Sequence, residues 1–159
     1  MKKTKATILF MALSLLVSHV PLLAAENYKN GQDITGSWQI TVTVPAGQLN
    51  CSGPEDCILL AMATATKDGT VVQTAALSNV SSGHGVWART GQRHFSIRSE
   101  YFRFDSTNQF VGTSVTLTEI TLDKTGTEAS GTFENTLFDI SGNIIGSFSG
   151  TAAAIRNIP

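Results

Sequence analysis

From Gly36 onward the chain is written as short runs of alternating apolar and polar residues, each closed by a turn signal. A period of two puts every second side chain on one face of a pleated strand, so such runs bury one face and wet the other. The first run, Trp38-Gln39-Ile40-Thr41-Val42-Thr43-Val44, sets Trp38, Ile40, Val42 and Val44 on one face and stops at Pro45. Residues 58–66 are less regular. Gly53-Pro54-Glu55-Asp56 ahead of them suits the first turn of a helix, with proline at its first position and acids behind it. Yet Lys67-Asp68-Gly69-Thr70 is a hairpin turn that leads straight into residues 71–74. One helical turn at most is expected there, then a strand.

Residues 76–83 form a polar loop without period, and five further strands follow at about 84–90, 92–105, 110–122, 128–138 and 144–155. Gly91, Ser106-Thr107-Asn108-Gln109, Asp123-Lys124-Thr125-Gly126 and Ser141-Gly142-Asn143 turn the chain between them. In the run 92–105, Phe95, Ile97 and Tyr101 share one face while Phe102 and Phe104 share the other. A bulge near residues 99–101, or sharp coiling, is expected to reconcile the two. With eight strands in sequence and no amphipathic helix to cover a sheet, the chain is expected to be all-β. Closing the last strand onto the first removes both edges, which gives an eight-stranded antiparallel up-and-down β-barrel. A two-sheet sandwich is the alternative, but its long crossovers are missing after Gly83. A barrel of this size is either filled by side chains or holds one small ligand.

Ahead of this domain stand Lys2, Lys3 and Lys5, a largely apolar stretch over residues 6–20, then Pro21 and Ala24-Ala25. A charged start, a short apolar run and small residues at the exit make a secretory signal peptide. The apolar stretch falls short of the ~20 residues that a bilayer span needs. The expected organisation is a signal peptide over 1–25, a tail over 26–34 and a barrel domain over 35–159, delivered to the periplasm or secreted, with no membrane span after cleavage. Of 11 basic and 12 acidic residues, three lysines leave with the leader, so 8 face 12 and the net charge becomes −4. An acidic domain without a basic tail argues against nucleic acid as a partner. In an oxidising compartment the isolated pair Cys51 and Cys57 reads as a disulfide stapling a turn-rich loop.

Gly36-Ser37-Trp38 opening the first strand and Arg156 closing the last resemble the lipocalins and the wider calycin group of eight-stranded barrels. The resemblance implies that Trp38 is the aromatic at the barrel's closed end and Arg156 its cation–π partner. The typical lipocalin helix beside the barrel is missing, and Arg156 sits close to the last residue. Gly85-Val86-Trp87-Ala88-Arg89-Thr90-Gly91, with Phe95, Phe102, Asp105 and Asp139-Ile140-Ser141-Gly142-Asn143, also looks like a set of small exported bacterial proteins to which no activity attaches.

Catalytic signatures are missing: there is no H-E-x-x-H, no G-x-S-x-G and no phosphate loop. His84 and His94 would make at most half a metal site, so neither metal nor cofactor is expected. The densest polar set is His84, Arg89, Arg93, His94, Arg98, Glu100 and Arg103. If His94, Arg98 and Glu100 follow Phe102 and Phe104 inward, Arg98 and Glu100 orient a polar head group or pair with each other. If they alternate outward, they form a solvated surface. Glu134 is a further carboxylate that could turn inward. The expected ligand-binding residues are Trp87, Arg98, Glu100, Phe102, Phe104 and Phe133. Gly146, Gly150, Ala152 and Ala154 share a face with Phe148, a column of small residues that leaves either a cavity or room for neighbours such as Trp38.

The leading expectation is a lipocalin-like binder of a small, mostly apolar ligand. The alternatives are a cyclase or isomerase of the allene oxide cyclase kind, using Glu100, Arg98 or Tyr101, and an interaction module with a filled interior.

Overall fold

The computed structural model describes residues 33–49 and 55–158. The leader, most of the tail, Cys51 and Pro54 lie outside the described residues. Eight strands follow in order: β1 (Gly36–Val44), β2 (Cys57–Ala65), β3 (Thr70–Ala75), β4 (Gly83–Arg89), β5 (His94–Phe104), β6 (Phe110–Leu122), β7 (Glu128–Phe138) and β8 (Ile144–Arg156). Each pairs antiparallel with its neighbour in sequence, and β8 pairs with β1 to close the barrel. The fold is therefore all-β and up-and-down, with no helix among the described residues. The stretch 58–66 is strand to Ala65, because it lies between β1 and β3 and hydrogen-bonds to both.

The expected bulge at 99–101 is not there. The register of β5 on β6 runs unbroken from His94 to Arg103 and slips only between Arg103 and Phe104. The strand keeps its phase, with Phe95, Ile97, Ser99, Tyr101 and Arg103 turned inward. Phe102 and Phe104 stay outside and pack edge-on against Phe110 of β6, with centroids 5.8 and 6.5 Å apart. This outer aromatic cluster is why both faces of one strand carry rings.

Elsewhere the outer surface is mixed: Ile58, Leu60 and Met62 of β2 and Val86 of β4 are exposed, whereas other strands turn polar residues outward. Ser37, Gln39, Thr41 and Thr43 alternate with the inward residues of β1, as Glu128, Ser130, Thr132 and Glu134 do on β7.

Apolar side chains gather at two levels. At one end, Ile34, Trp38, Val71, Phe95, Leu122 and neighbouring alanines form a closed cluster. Towards the other end, Val44, Cys57 and Phe133 form a second cluster, joined by Leu49 from the β1–β2 connection.

Three connections between later strands share one construction. Asp105, Asp123 and Asp139 each open a turn and accept hydrogen bonds from the backbone N–H groups two and four residues on. The distances are 2.8 and 3.0 Å at Thr107 and Gln109, 3.0 and 2.9 Å at Thr125 and Thr127, and 2.8 and 2.9 Å at Ser141 and Asn143. The residue three after each aspartate, Asn108, Gly126 or Gly142, takes a left-handed conformation. Asp68 caps the β2–β3 turn in a related way.

Side-chain partners, Thr66, Thr107, Thr125 and Asn143, together with these backbone donors, hold all four carboxyls below their ordinary range. A depressed folded-state pKa contributes stability that is complete above the unfolded value, about 4, and fades as pH falls below it. The expected result is a melting temperature that drops below about pH 4. A variant with all four aspartates changed to asparagine should melt lower than wild type at pH 6, and the gap should close towards pH 2. Thermal melts across that range check it; a constant gap would contradict the assignment.

Candidate functional site

The closed end is built first by register. Trp38 stands directly opposite Arg156 of β8 on one side and Ala63 of β2 on the other, so all three point inward. The Arg156 guanidinium lies 4.3 Å over the indole ring. Its Nε donates to Gly126 O at 2.7 Å, Nη2 to Asp33 O at 2.6 Å and Nη1 to Thr35 O. The indole Nε1 donates to Ile34 O at 2.8 Å. One cation thus ties β8 to the segment entering β1 and to the β6–β7 turn, with the indole as a plate between.

Above that floor the barrel is hollow. A cavity of about 530 Å³ runs from Trp38 and Ile34 up to Leu49, Leu77 and Val80 in the connections at the far end. Its room comes from small residues. β1 carries Trp38, Ile40 and Val42, flanked by Ala63 and Ala61 of β2 and by Ala154 and Ala152 of β8. Of the column of small residues on β8, Ala152 and Ala154 therefore face open space, while Gly150 lies against the Phe133 ring and the backbone of Thr43.

The walls differ. β1, β2 and β8 present apolar side chains, among them Ile40, Val42, Leu59, Phe148 and alanines, whereas β3, β5, β6 and β7 mix Val71, Ile97, Ile120, Phe133 and Leu137 with Gln73, Tyr101, Arg103, Ser114, Thr116 and Asn135. Ser114 Oγ donates to Asn135 Oδ1 at 2.9 Å, and Asn135 Nδ2 donates to Thr116 Oγ1 at 2.6 Å. Tyr101 donates its hydroxyl proton to Gln73 Oε1. Burial pushes the Tyr101 phenol up to about 12, so it remains a neutral donor throughout the physiological range. Its ring lies against the backbone of β4, where a Cβ on Gly83 would come within 2.3 Å of it. Glycine at that position is what allows the ring to lie there.

The expected site residues divide. Phe133 lines the cavity, edge-on to Phe148 at 6.0 Å, and Tyr101 lines it as well. Trp87 points inward below the cavity, 5.8 Å from Phe95, with Nε1 donating to Thr66 O at 2.9 Å. The inward placement of Arg98, Glu100, Phe102 and Phe104 is corrected. They lie on the outer surface, where Arg98 and Glu100 are 56% and 46% exposed and 3.9 Å apart, and Phe102 is 57% exposed. Continuous pairing of β4, β5 and β6 leaves no room for the half-step that would turn them in. Glu134 is likewise exposed. His84 stands opposite Glu100 on that outer face, and His94 Nδ1 is 2.9 Å from Thr121 Oγ1.

Sequence reasoning missed Gln73, Ser114, Thr116 and Asn135, and it named Arg103 without placing it inside. Counting parity from Phe95 through Arg103 without a bulge would have found Arg103. Among the described residues, the cavity lining holds no aspartate, glutamate or histidine, and Arg103 is its one charged side chain.

Fold and site together define a closed eight-stranded antiparallel barrel, floored by an indole under a guanidinium and hollow above. The chain matches no protein-family model and no curated protein sequence.

Proposed function

We propose that this chain is an exported, lipocalin-like barrel of the periplasm or extracellular space that binds one small, mostly apolar molecule in its interior. The observation that carries the reading is the cavity of about 530 Å³, within the 300–1,000 Å³ typical of sites for small molecules. The floor of Trp38 and Arg156 supports the calycin resemblance, and the leader pattern at residues 1–25 supports export. Titrating the mature protein with fluorescent lipids and hydrophobic dyes should give saturable binding of one molecule per chain. Failure to saturate with any probe would sink the reading.

The cyclase reading loses its proposed acid–base pair, since Arg98 and Glu100 lie outside the barrel. What remains is Tyr101, a phenol that donates and does not ionise near neutral pH. Ligand binding is the function the interior supports best.

Export also bears on the cysteines. Cys57 is buried at the start of β2 among Val44 and Phe133, and Cys51 lies outside the described residues. A bridge between them closes a short ring over the β1–β2 connection, contributing about 2 kcal/mol through loop-closure entropy. Reduction with dithiothreitol is expected to lower the unfolding free energy measured in urea by that amount, and the midpoint with it. Cys51→Ser should show the lower midpoint and no further response to reductant, and a midpoint indifferent to both changes would argue against the bridge.

A further inference from the structure

We propose that the molecule held in the cavity is a single-tailed amphiphile with a carboxylate head, and that Arg103 receives the head. This rests on reading the cavity as a ligand site. A purely apolar guest would suit the wall of Ile40, Val42, Leu59 and Phe148, but it would cover Arg103, Ser114 and Thr116 opposite without replacing the water it expels.

Arg103 is the decisive residue. Its guanidinium offers five N–H donors, and the structure gives it one long bond, from Nη1 to Phe138 O at 3.4 Å. Among the described residues, no carboxylate lines the cavity or pairs with Arg103. Asp105 and Asp139, the acids nearest to Arg103 and to its acceptor Phe138 in the chain, are engaged in their own turns with Thr107 and Gln109 and with Ser141 and Asn143. Glu100 and Glu134 alternate outward. A cation facing a cavity that empties of water on binding is unfavourable unless the guest brings a counter-charge. The planar fork of arginine matches a carboxylate in two parallel hydrogen bonds. A phosphate monoester, with a charge of about −1.5 to −2, would call for a second cation, and no lysine lines the cavity.

Position sets the orientation of the guest. Arg103 is the last inward side chain of β5 before the register slips, and its main chain bridges to Val80 of the β3–β4 connection at the cavity's far end. The head therefore sits at the mouth, beside Asn79 and Val80, and the tail runs down the alanine-lined side towards Trp38. Gln73, whose Oε1 is taken by Tyr101, keeps its amide N–H groups for the same end of the molecule.

The test is calorimetric titration of the mature protein near neutral pH with lauric and palmitic acids, their methyl esters and the corresponding alcohols. Wild type should bind the acids at least about tenfold more tightly than the esters and alcohols. Arg103→Gln should bring acid affinity down to the ester level while alcohol affinity stays within about twofold. Arg103→Lys should keep part of the preference, and Arg98→Gln on the outer face should change nothing. Should Arg103→Gln fail to fold, the wild-type comparison of acid with ester and the lysine variant still decide. Saturable binding of esters and acids with equal affinity overturns the carboxylate proposal and leaves the cavity reading standing. No binding of any member overturns both.

Discussion

Replacing Trp38 by alanine is expected to cost about 3 to 5 kcal/mol of stability, the range for truncating a large buried aromatic. The side chain is 5% exposed, and its loss acts on three partners at once. The Ile34 carbonyl loses its donor at 2.8 Å, the Arg156 guanidinium loses the ring 4.3 Å below it, and the floor of the cavity opens. For a domain whose whole stability is of order 5 to 15 kcal/mol, such a change is severe. Arg156→Lys separates the parts. Lysine keeps the charge, but it cannot donate to Asp33, Thr35 and Gly126 together in the planar fan that arginine makes. Its loss should be smaller than that of Trp38→Ala and should persist at high salt, since it removes geometry rather than charge. Urea unfolding followed by circular dichroism measures both. A loss below about 1 kcal/mol for Trp38→Ala would mean that the floor contributes little to holding the barrel shut.

The second large effect falls on binding and leaves the fold in place. Ala152 stands opposite Val42 of β1 and Gly131 of β7 and points into the cavity. A phenylalanine there enters open space rather than a packed core, so the strain of overpacking, typically 1 to 3 kcal/mol in a filled interior, should be largely escaped. It would occupy the middle of the channel between floor and mouth. Ala152→Phe is therefore expected to weaken binding of any interior ligand by more than about tenfold, with a urea midpoint close to that of wild type. Dye titration and urea unfolding on the same preparation check it. Unchanged affinity would place the bound molecule somewhere other than the cavity.

Strand order and closure were legible in the sequence because they depend on local signals. Alternation marks each strand, and clusters of turn residues mark the later connections, three of them opened by an aspartate and carrying a left-handed glycine or asparagine. The pair Trp38 and Arg156 was legible through the Gly-x-Trp resemblance, and β1–β8 pairing brings the two face to face.

What alternation does not say is which of two apolar faces looks inward. On β5 both faces carry aromatic rings, and a bulge seemed necessary because an outer ring cluster is unusual. Phe110 arrives from another strand to shelter Phe102 and Phe104, a contact that lies in tertiary packing rather than in β5 itself. The cavity was hidden for a similar reason. Ala61, Ala63, Ala152 and Ala154 come from strands far apart in sequence, and only the register on either side of β1 brings them round Trp38, Ile40 and Val42. The polar wall escaped notice because serine, threonine and asparagine on an inward face resemble ordinary strand residues until Asn135 is seen to link Ser114 with Thr116.

The seam between β1 and β8 also sets an order of events in time. It joins residue 38 to residue 156 and residue 43 to residue 151, the most distant pairings in the barrel, and contacts of such long range form late and slowly. As the chain emerges, β1 can pair with β2 on one side, but its other edge stays bare until the final strand arrives. An open sheet with an unpaired edge invites association with other chains. The growing molecule is therefore at its most vulnerable just before completion, and the cation that clasps the seam belongs to the last residue of the strand that ends the exposure.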